Sequence, residues 1–211
     1  MAVLDRNFEV LNENAVTGKA FDDRVGVAVM LWAAKQLKDS EVTVYFVATV
    51  QEEVGLRGGA QVAADRVYPD FAIALDTTIA ADVPGVNERE FVTKIGKGPA
   101  IKVMDGSRGS VFIAHPTLTN FLVSVAEELK IPYQLEVLIG GTTDALGIAF
   151  RRDGIPATTI SIPTRYVHSP VELLNINDAL NAAKLLTEAL SRADEKLVQS
   201  LREKTIKARQ V

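Results

Sequence analysis

The feature that most constrains this chain is an apolar run at residues 42–50 that leads directly into two adjacent carboxylates. The run is rich in β-branched and aromatic residues, which predicts a central strand buried on both faces of a sheet. Glu52 and Glu53 follow it, at the strand end where open α/β sheets place their chemistry. Two buried acids need a compensating positive charge, such as a metal ion. The alternative is a solvated turn that carries two surface glutamates.

Composition restricts the class of protein and its partners. The chain has 211 residues, of which 47% are hydrophobic and 24% charged, values that predict one globular domain over residues 1–211. A net charge of −4 argues against nucleic acid or an acidic membrane as partner. The chain has no cysteine, which excludes disulfides and thiolate metal sites and is compatible with a reducing cytoplasm. We expect a cytoplasmic protein, because neither a signal-peptide pattern nor a membrane-length apolar run is present.

Predicted strands and helices alternate along the chain. This order predicts an α/β fold, a three-layer α/β/α sandwich around a mixed, mostly parallel sheet. The predicted helices cover residues 25–38, 56–67, 116–129, 142–152 and 175–201. The predicted strands cover residues 7–11, 42–50, 70–75, 133–138 and 157–162, with two more between residues 88 and 104. The charged tail, residues 202–211, is expected to fray.

Acidic and imidazole side chains lie next to several of these elements. Asp22 precedes the first long helix, Asp76 ends a buried strand, and His168 follows another strand. Each also has an ordinary explanation, because Asp22 suits a helix cap, Asp76 suits a turn, and a loop histidine usually lies on the surface. Taken together with Glu53, they would meet at one edge of a parallel sheet. Carboxylate and imidazole are the ligands that Zn²⁺, Co²⁺ or Mn²⁺ accept, so a metal site is the functional hypothesis.

Five ordered segments resemble a known family. They are residues 18–26 (GKAFDDRVG), 51–60 (QEEVGLRGGA), 74–78 (ALDTT), 140–145 (GGTTDA) and 162–172 (IPTRYVHSPVE). In this order and spacing they resemble the motifs of the glutamyl aminopeptidase, or tetrahedral (TET) aminopeptidase, family. Its members are co-catalytic di-metal exopeptidases of bacteria and archaea. The resemblance covers nearly the whole chain from Phe8 onward. It implies a di-zinc peptidase-like fold, peptide substrates and two divalent ions, Zn²⁺ or Co²⁺.

The resemblance implies a role for each matched acid and for one histidine. Asp22 would bridge the two ions, Glu53 and His168 would complete one metal site, and Asp76 would bind the second ion. Glu52 would act as general base, activating a water for attack on the first peptide carbonyl. It would then pass the proton to the leaving amine.

Further features carried by the resemblance concern the backbone and the substrate pocket. The peptide bond between Asp22 and Asp23 is expected to be cis. Thr142, Asp144 and Arg165 lie in family motifs near the substrate pocket and are candidates for binding substrate. Asp144 equally suits the start of the helix that follows it.

The chain departs from the family pattern in one respect. It lacks the family's upstream His-x-Asp motif, together with an inserted PDZ-like domain that mediates dimer contacts. We therefore expect a catalytic fold that is truncated at its N-terminus, with a weakened site for the ion held by Asp76. His115, the other histidine, is expected to belong to the start of a helix. A homo-oligomer other than the family dodecamer is expected.

Three functional hypotheses remain open at this point. The leading hypothesis is a metallo-aminopeptidase with reduced activity, either a fragment of a longer protein or a shortened relative. A second is a non-catalytic remnant that functions through assembly and binds one metal ion or none. A third is a glycosidase that uses Glu52 and Glu53. It has little support, because catalytic carboxyl pairs must face a sugar from opposite sides at a separation of about 5 Å or more.

Overall fold

The computed structural model describes residues 7–55, 58–107 and 109–202. Its strands are β1 (Glu9–Val10), β2 (Ala15–Gly18), β3 (Ala72–Ile79), β4 (Ala100–Ser107), β5 (Ser110–Ile113), β6 (Gln134–Ile139), β7 (Ala157–Arg165) and β8 (Glu172–Asn175). Its helices are α1 (Phe21–Gln36), α2 (Gly59–Val67), α3 (Pro116–Glu128), α4 (Asp144–Ala149), α5 (Ile176–Arg192) and α6 (Glu195–Arg202), with a 3₁₀ turn at Glu88–Glu90. Apart from Arg202, the tail predicted to fray lies outside the described residues.

The strands form one mixed sheet. Its main path runs β1-β2-β8-β7-β4-β5, while β3 pairs with β7 and β6 pairs with β4. The β3–β7 and β4–β6 pairs are parallel, and the other five pairs in the described ranges are antiparallel. The predicted mixed sheet is therefore confirmed, and its two longest pairings are the parallel ones. Antiparallel neighbours arise because β4 runs opposite to β7 at the centre of the sheet, and because short connections return the chain beside the preceding strand.

Helices cover both faces of the sheet and complete the three predicted layers. On one face, α1, α3 and α5 bury apolar side chains against the sheet, with Val29, Leu122 and Leu185 in one continuous core. On the other face, α4 packs on β3, β5 and β7, and α2 packs on α4. Burial of these apolar stripes is the main stabilising contribution. This arrangement brings the starts of α1 and α4 to the edge of the sheet where β3 and β7 end.

The strand predicted at residues 42–50 is the main error of the sequence interpretation. The structure assigns no strand there, and the segment is not buried on both faces, since Tyr45 is 63% exposed. Burial nevertheless alternates residue by residue from residue 42 to residue 47, with Val44 and Phe46 packed against the core. The segment thus keeps the two-residue period of a strand. It forms no β-sheet hydrogen bonds, because no neighbouring strand pairs with it in the described ranges.

Several predicted boundaries also differ. Strand β3 continues through Asp76 to Ile79, and β7 passes Pro163 to end at Arg165. The helix predicted over residues 175–201 is two helices, because Asp194 Oδ1 accepts the Leu197 N–H at 2.8 Å and caps a new helix. Of the two strands predicted between residues 88 and 104 only β4 is present, while β2, β5 and β8 were not predicted.

Helix α1 also differs from its sequence pattern. Its sequence is apolar on almost all sides near the start, yet Leu31 and Trp32 on its outer face are exposed, because only one stripe of the helix reaches the sheet. Among the helices that the structure describes, none combines the length and apolarity needed to cross a bilayer.

Candidate metal centre

Three predicted ligands meet at one edge of the fold. His168 Nε2 lies 3.1 Å from Asp22 Oδ2 and 3.1 Å from Glu53 Oε2. One potential ligand atom from each side chain lies within 4.8 Å of the others. Asp22 comes from the start of α1, Glu53 from the turn after residues 42–50, and His168 from the β7–β8 loop. Two carboxylates and one imidazole form a donor set suited to Zn²⁺ and related ions.

A second cluster adjoins the first and shares Asp22 with it. Oxygens of Asp22, Asp23 and Asp76 also lie within 4.8 Å of one another. Burial, followed by the nearby carboxylates of Asp23 and Asp22, raises the pKa of Asp76 well above its ordinary value. Asp76 lies inside β3 and not in a turn. The structure therefore places the partly buried Asp76 carboxylate beside Asp22, in a second set of oxygens.

Asp23 was not predicted to be near a ligand set. Its Oδ1 accepts the Gly26 N–H at 2.9 Å, so Asp23, and not Asp22, makes the capping hydrogen bond at the start of α1. Burial raises the pKa of Asp23 to about 8. The peptide bond between Asp22 and Asp23 is cis, as the resemblance implied. The aspartate doublet was the sequence signal that could have indicated this second acid.

The charge balance of the site fits a bound cation. Within the described ranges, no lysine or arginine forms an ion pair with Asp22, Asp23, Glu52 or Asp76. Grouped carboxylates that are removed from water are unfavourable unless a positive charge compensates them. A divalent ion in contact with both clusters would supply that charge with oxygen and imidazole donors.

Glu52 lies beside the two clusters and is half-buried. Burial, and then the neighbouring Glu53 carboxylate, raises the pKa of Glu52 to about 7. Its side chain lines a cavity of about 1030 Å³ that also reaches Asp23, Asp76 and Asp144. A carboxylate with a pKa near neutrality, next to a metal site and an open cavity, can accept and return a proton.

Glu172 is a residue of this site that the sequence reasoning did not single out. Its Oε2 accepts the Asp22 N–H at 3.0 Å and its Oε1 accepts the His168 N–H at 3.1 Å. The residue is only 2% exposed. His168 has a positive φ of 64°, a backbone conformation that non-glycine residues rarely adopt. Glu172 therefore positions the backbone of two candidate ligands. The sequence feature that could have indicated Glu172 was its position as the last residue of the family-like segment 162–172.

The candidate substrate residues have different surroundings. Asp144 lies in the first turn of α4 and not at its capping position, and its Oδ2 accepts the Thr49 hydroxyl at 2.6 Å. Thr142 lies two residues before that helix. The Arg165 guanidinium donates two hydrogen bonds to Asp82, at 2.9 and 2.8 Å. The structure thus brings Asp144 to the cavity beside Glu52, whereas Arg165 is engaged with Asp82.

His115 occupies the position just before α3, as predicted. Its carbonyl accepts the Thr119 N–H at 2.9 Å, and its own N–H donates to the Ala157 carbonyl. It belongs to neither ligand cluster found among the described residues.

Comparison with known proteins agrees with the sequence resemblance. A curated putative aminopeptidase of Acetivibrio thermocellus is 49% identical over 181 residues, which are 86% of this chain and 53% of that protein. The lysyl aminopeptidase of Pyrococcus furiosus is 38% identical over 180 residues, covering 85% of this chain and 49% of that protein. This chain thus spans about half the length of the curated relatives it matches.

A solved structure extends the agreement to the fold. An aminopeptidase from the archaeon Desulfurococcus kamchatkensis superposes with a TM-score of 0.92 at 52% identity, covering 96% of this chain and 56% of that one. The TET1 peptidase of Pyrococcus horikoshii, described as assembling into a tetrahedron or a large octahedral shell, has a TM-score of 0.76 at 35% identity. That match covers 90% of this chain and 54% of the other. The family model described as M42 glutamyl aminopeptidase matches residues 1–185, and this chain therefore belongs to the M42 glutamyl aminopeptidase family.

Proposed function

We propose that this chain forms the metal-binding, catalytic part of a cytoplasmic aminopeptidase that removes N-terminal residues from peptides. The observation that carries the proposal is the approach of His168 to Asp22 and Glu53, each at 3.1 Å, in a member of an aminopeptidase family. The proposal assigns Asp22, Glu53 and His168 to one divalent ion. It assigns Asp22 and Asp76 to a second ion, with Zn²⁺ or Co²⁺ as the metal.

Glu52 is the proposed general base. When bound, the divalent ions would make a water more acidic and polarise the peptide carbonyl. Glu52 accepts the proton of the attacking water and holds it until the C–N bond breaks, when the proton passes to the leaving amine. Its position beside both ligand clusters and on the cavity wall supports this role.

The second ion site is proposed to be the weaker of the two. Among the residues that the structure describes, its donors are carboxylates without an imidazole, and the carboxylate of Asp23 already accepts a backbone N–H. Fewer available ligands lower the affinity of a metal site. We therefore propose reduced activity for this chain compared with relatives that hold both ions tightly.

A homo-oligomer other than the tetrahedral dodecamer is proposed for this chain. The exposed Leu31 and Trp32 on α1 provide apolar surface of the kind that subunit contacts bury. Light scattering that gives a mass of twelve subunits would contradict this part of the proposal.

The test compares two neighbouring glutamates. The wild-type protein is expected to bind Zn²⁺ or Co²⁺ and to hydrolyse leucine p-nitroanilide until a chelator is added. Glu52→Gln should keep the ions but lose turnover by about 100-fold or more, because it removes the base and not a ligand. Glu53→Gln should lose one ion.

Two results would contradict the proposed aminopeptidase function. Binding of at most one ion without turnover of the p-nitroanilide would identify a non-catalytic remnant. Chelator-insensitive hydrolysis of a glucan would instead indicate the glycosidase. Metal content measured by inductively coupled plasma spectrometry, together with turnover of both substrates, separates these cases.

A further inference from the structure

The loop between β6 and α4 is attached to the neighbouring strand β4. The Gly140 N–H donates to the Gly106 carbonyl at 2.7 Å, and an isolated antiparallel bridge joins Gly106 to Gly141. Gly140 has a φ of 109°, a conformation that residues with a side chain rarely adopt. The loop therefore leaves β6 by a turn that keeps its backbone against β4, and it ends at Thr143, directly before α4.

A buried chain of three polar side chains fixes the end of this loop. The Thr143 hydroxyl lies 3.1 Å from Asp105 Oδ2 on β4 and 2.9 Å from the Thr159 hydroxyl on β7. Each of the three residues is at most 2% exposed. An ionised carboxylate can only accept hydrogen bonds, so Thr143 donates to Asp105 and accepts from Thr159. We call these three residues the loop anchor.

The Thr143 hydroxyl serves the loop anchor and not the helix. A threonine directly before a helix commonly accepts a backbone N–H of the first turn with its side chain. Thr143 makes no such hydrogen bond at the start of α4. Burial of hydroxyls is unfavourable unless they are hydrogen-bonded, and here both hydroxyls have partners only while Thr143 stays between the two strands. The loop anchor therefore holds the start of α4 in one place.

Asp144 is the residue that this arrangement places. It follows Thr143 directly, its Oδ2 accepts the Thr49 hydroxyl at 2.6 Å, and it lines the cavity beside Glu52. Asp144 belongs to neither ligand cluster found among the described residues, and a carboxylate has acceptor sites beyond one hydroxyl. A peptide substrate brings a protonated amine to this site, and a carboxylate is the group that complements it.

We propose that Asp105, Thr143 and Thr159 are positioning residues for the aminopeptidase reaction. Through the loop they hold Asp144 on the cavity wall, where its carboxylate binds the protonated amine of the peptide. The substrate in this inference rests on the proposed function. The anchoring rests on contacts inside the fold and does not depend on what surrounds the chain.

The experiment removes one hydroxyl from the loop anchor. Thr143→Val keeps the size and branching of the side chain but removes the donor to Asp105 and the acceptor for Thr159. With Zn²⁺ supplied, KM of the full chain for leucine p-nitroanilide should rise at least fivefold and kcat should change less than twofold. The reason is that a substrate-binding group is displaced while the general base and the ligands stay in place. Thr143→Ser restores the hydroxyl and should return KM to within twofold of the wild type.

Thr119→Val is the matched control. Thr119 on α3 is also a buried threonine, and its hydroxyl lies 3.4 Å from that of Thr158 on β7. Thr158 is adjacent to Thr159 and therefore faces the opposite side of the sheet. This control should lose stability in urea denaturation as Thr143→Val does, while its KM stays at the wild-type value. An equal rise of KM in both variants, or no rise in Thr143→Val, would overturn the proposal.

Hydrogen–deuterium exchange separates failure of this inference from failure of the proposed function. In Thr143→Val, exchange at residues 142–146 should accelerate at least tenfold, because the loop loses its interior contacts. Thr119→Val should leave exchange there unchanged. Unchanged exchange in Thr143→Val would overturn the inference whether or not the chain hydrolyses the p-nitroanilide. Absence of turnover in the wild type would instead contradict the proposed function, and the exchange measurement would still decide the anchoring.

Discussion

The carboxylate of Glu172 accepts a hydrogen bond from the backbone N–H of Asp22 at 3.0 Å, across 150 positions of sequence. The antiparallel pairing of β2 with β8 places Glu172 opposite Gly18, three residues before the start of α1. The second oxygen of the same carboxylate accepts the N–H of His168. One buried side chain thus connects the backbone of two residues whose own side chains approach each other within 3.1 Å.

Replacement of Glu172 by glutamine is predicted to weaken metal binding without unfolding the chain. The amide keeps the size of the carboxylate but turns one acceptor into a donor, so one of the two backbone N–H groups loses its partner. Loss of a residue that supports a ligand typically costs about 10–100-fold in metal affinity. Competition titration with a zinc indicator measures this effect.

Glu128→Gln is the matched control, because Glu128 is an exposed glutamate paired with Arg192. It should bind zinc as the wild type does. Equal affinities for the two variants would show that Glu172 does not position the ligands.

The two histidines of the chain make a direct comparison of metal ligands possible. His168→Ala should lose the ion assigned to Asp22 and Glu53, because the imidazole is its nitrogen donor. His115→Ala should retain that ion, since His115 belongs to neither described cluster. Isothermal titration with Zn²⁺ gives the number of ions bound by each variant. Loss of an ion in the His115 variant, or full stoichiometry and affinity in the His168 variant, would contradict the assignment.

A buried ion pair between β4 and β6 is predicted to make the free energy of unfolding sensitive to loss of one partner. Lys102 Nζ lies 2.8 Å from Glu136 Oε2, and both side chains are fully buried. Glu136 also accepts the hydroxyl of Thr78. Lys102→Met should lower the free energy of unfolding by about 3–5 kcal/mol, because it leaves a buried carboxylate without its cation.

The double variant Lys102→Met with Glu136→Leu removes both charges and should recover much of this loss. Urea denaturation of the wild type, both single variants and the double variant completes the cycle. Additive losses in the double variant would show that the two charges do not interact.

Asp105 is predicted to make stability depend on pH. Burial raises its pKa from 3.8 to about 6, although nearby Lys102 opposes this shift. Between these values the folded state keeps the proton that the unfolded state has released. The contribution of Asp105 to the free energy of unfolding therefore falls as the pH rises through this window and is constant above about 6.

Asp105→Asn cannot titrate and should lack this decrease. Relative to the wild type, its free energy of unfolding should rise by up to about 3 kcal/mol across the window. Urea denaturation of both proteins at several pH values between 4 and 8 tests this expectation. Parallel pH profiles would contradict it.

Sequence patterns predicted some elements better than others. The buried strand at residues 157–162 was found because its β-branched residues lie in the sheet interior, where strand propensity and burial agree. Residues 42–50 are also rich in β-branched residues, but their strand conformation depends on a neighbour that the described structure does not contain. The composition of a segment indicates how well the segment suits burial, whereas the presence of a pairing strand decides whether β-sheet hydrogen bonds form.

The sequence alone determined which chemical groups are present, in what order and in which family, because motifs record residue types and spacing. It predicted Asp22, Glu53, Asp76 and His168 as candidate ligands on that basis. Tertiary structure alone decided that Asp22, Glu53 and His168 share one edge, and that Glu172 supports two of them. The physical reason is that Glu172 binds backbone N–H groups, which every residue except proline carries, so this contact leaves no mark on the identities of its partners.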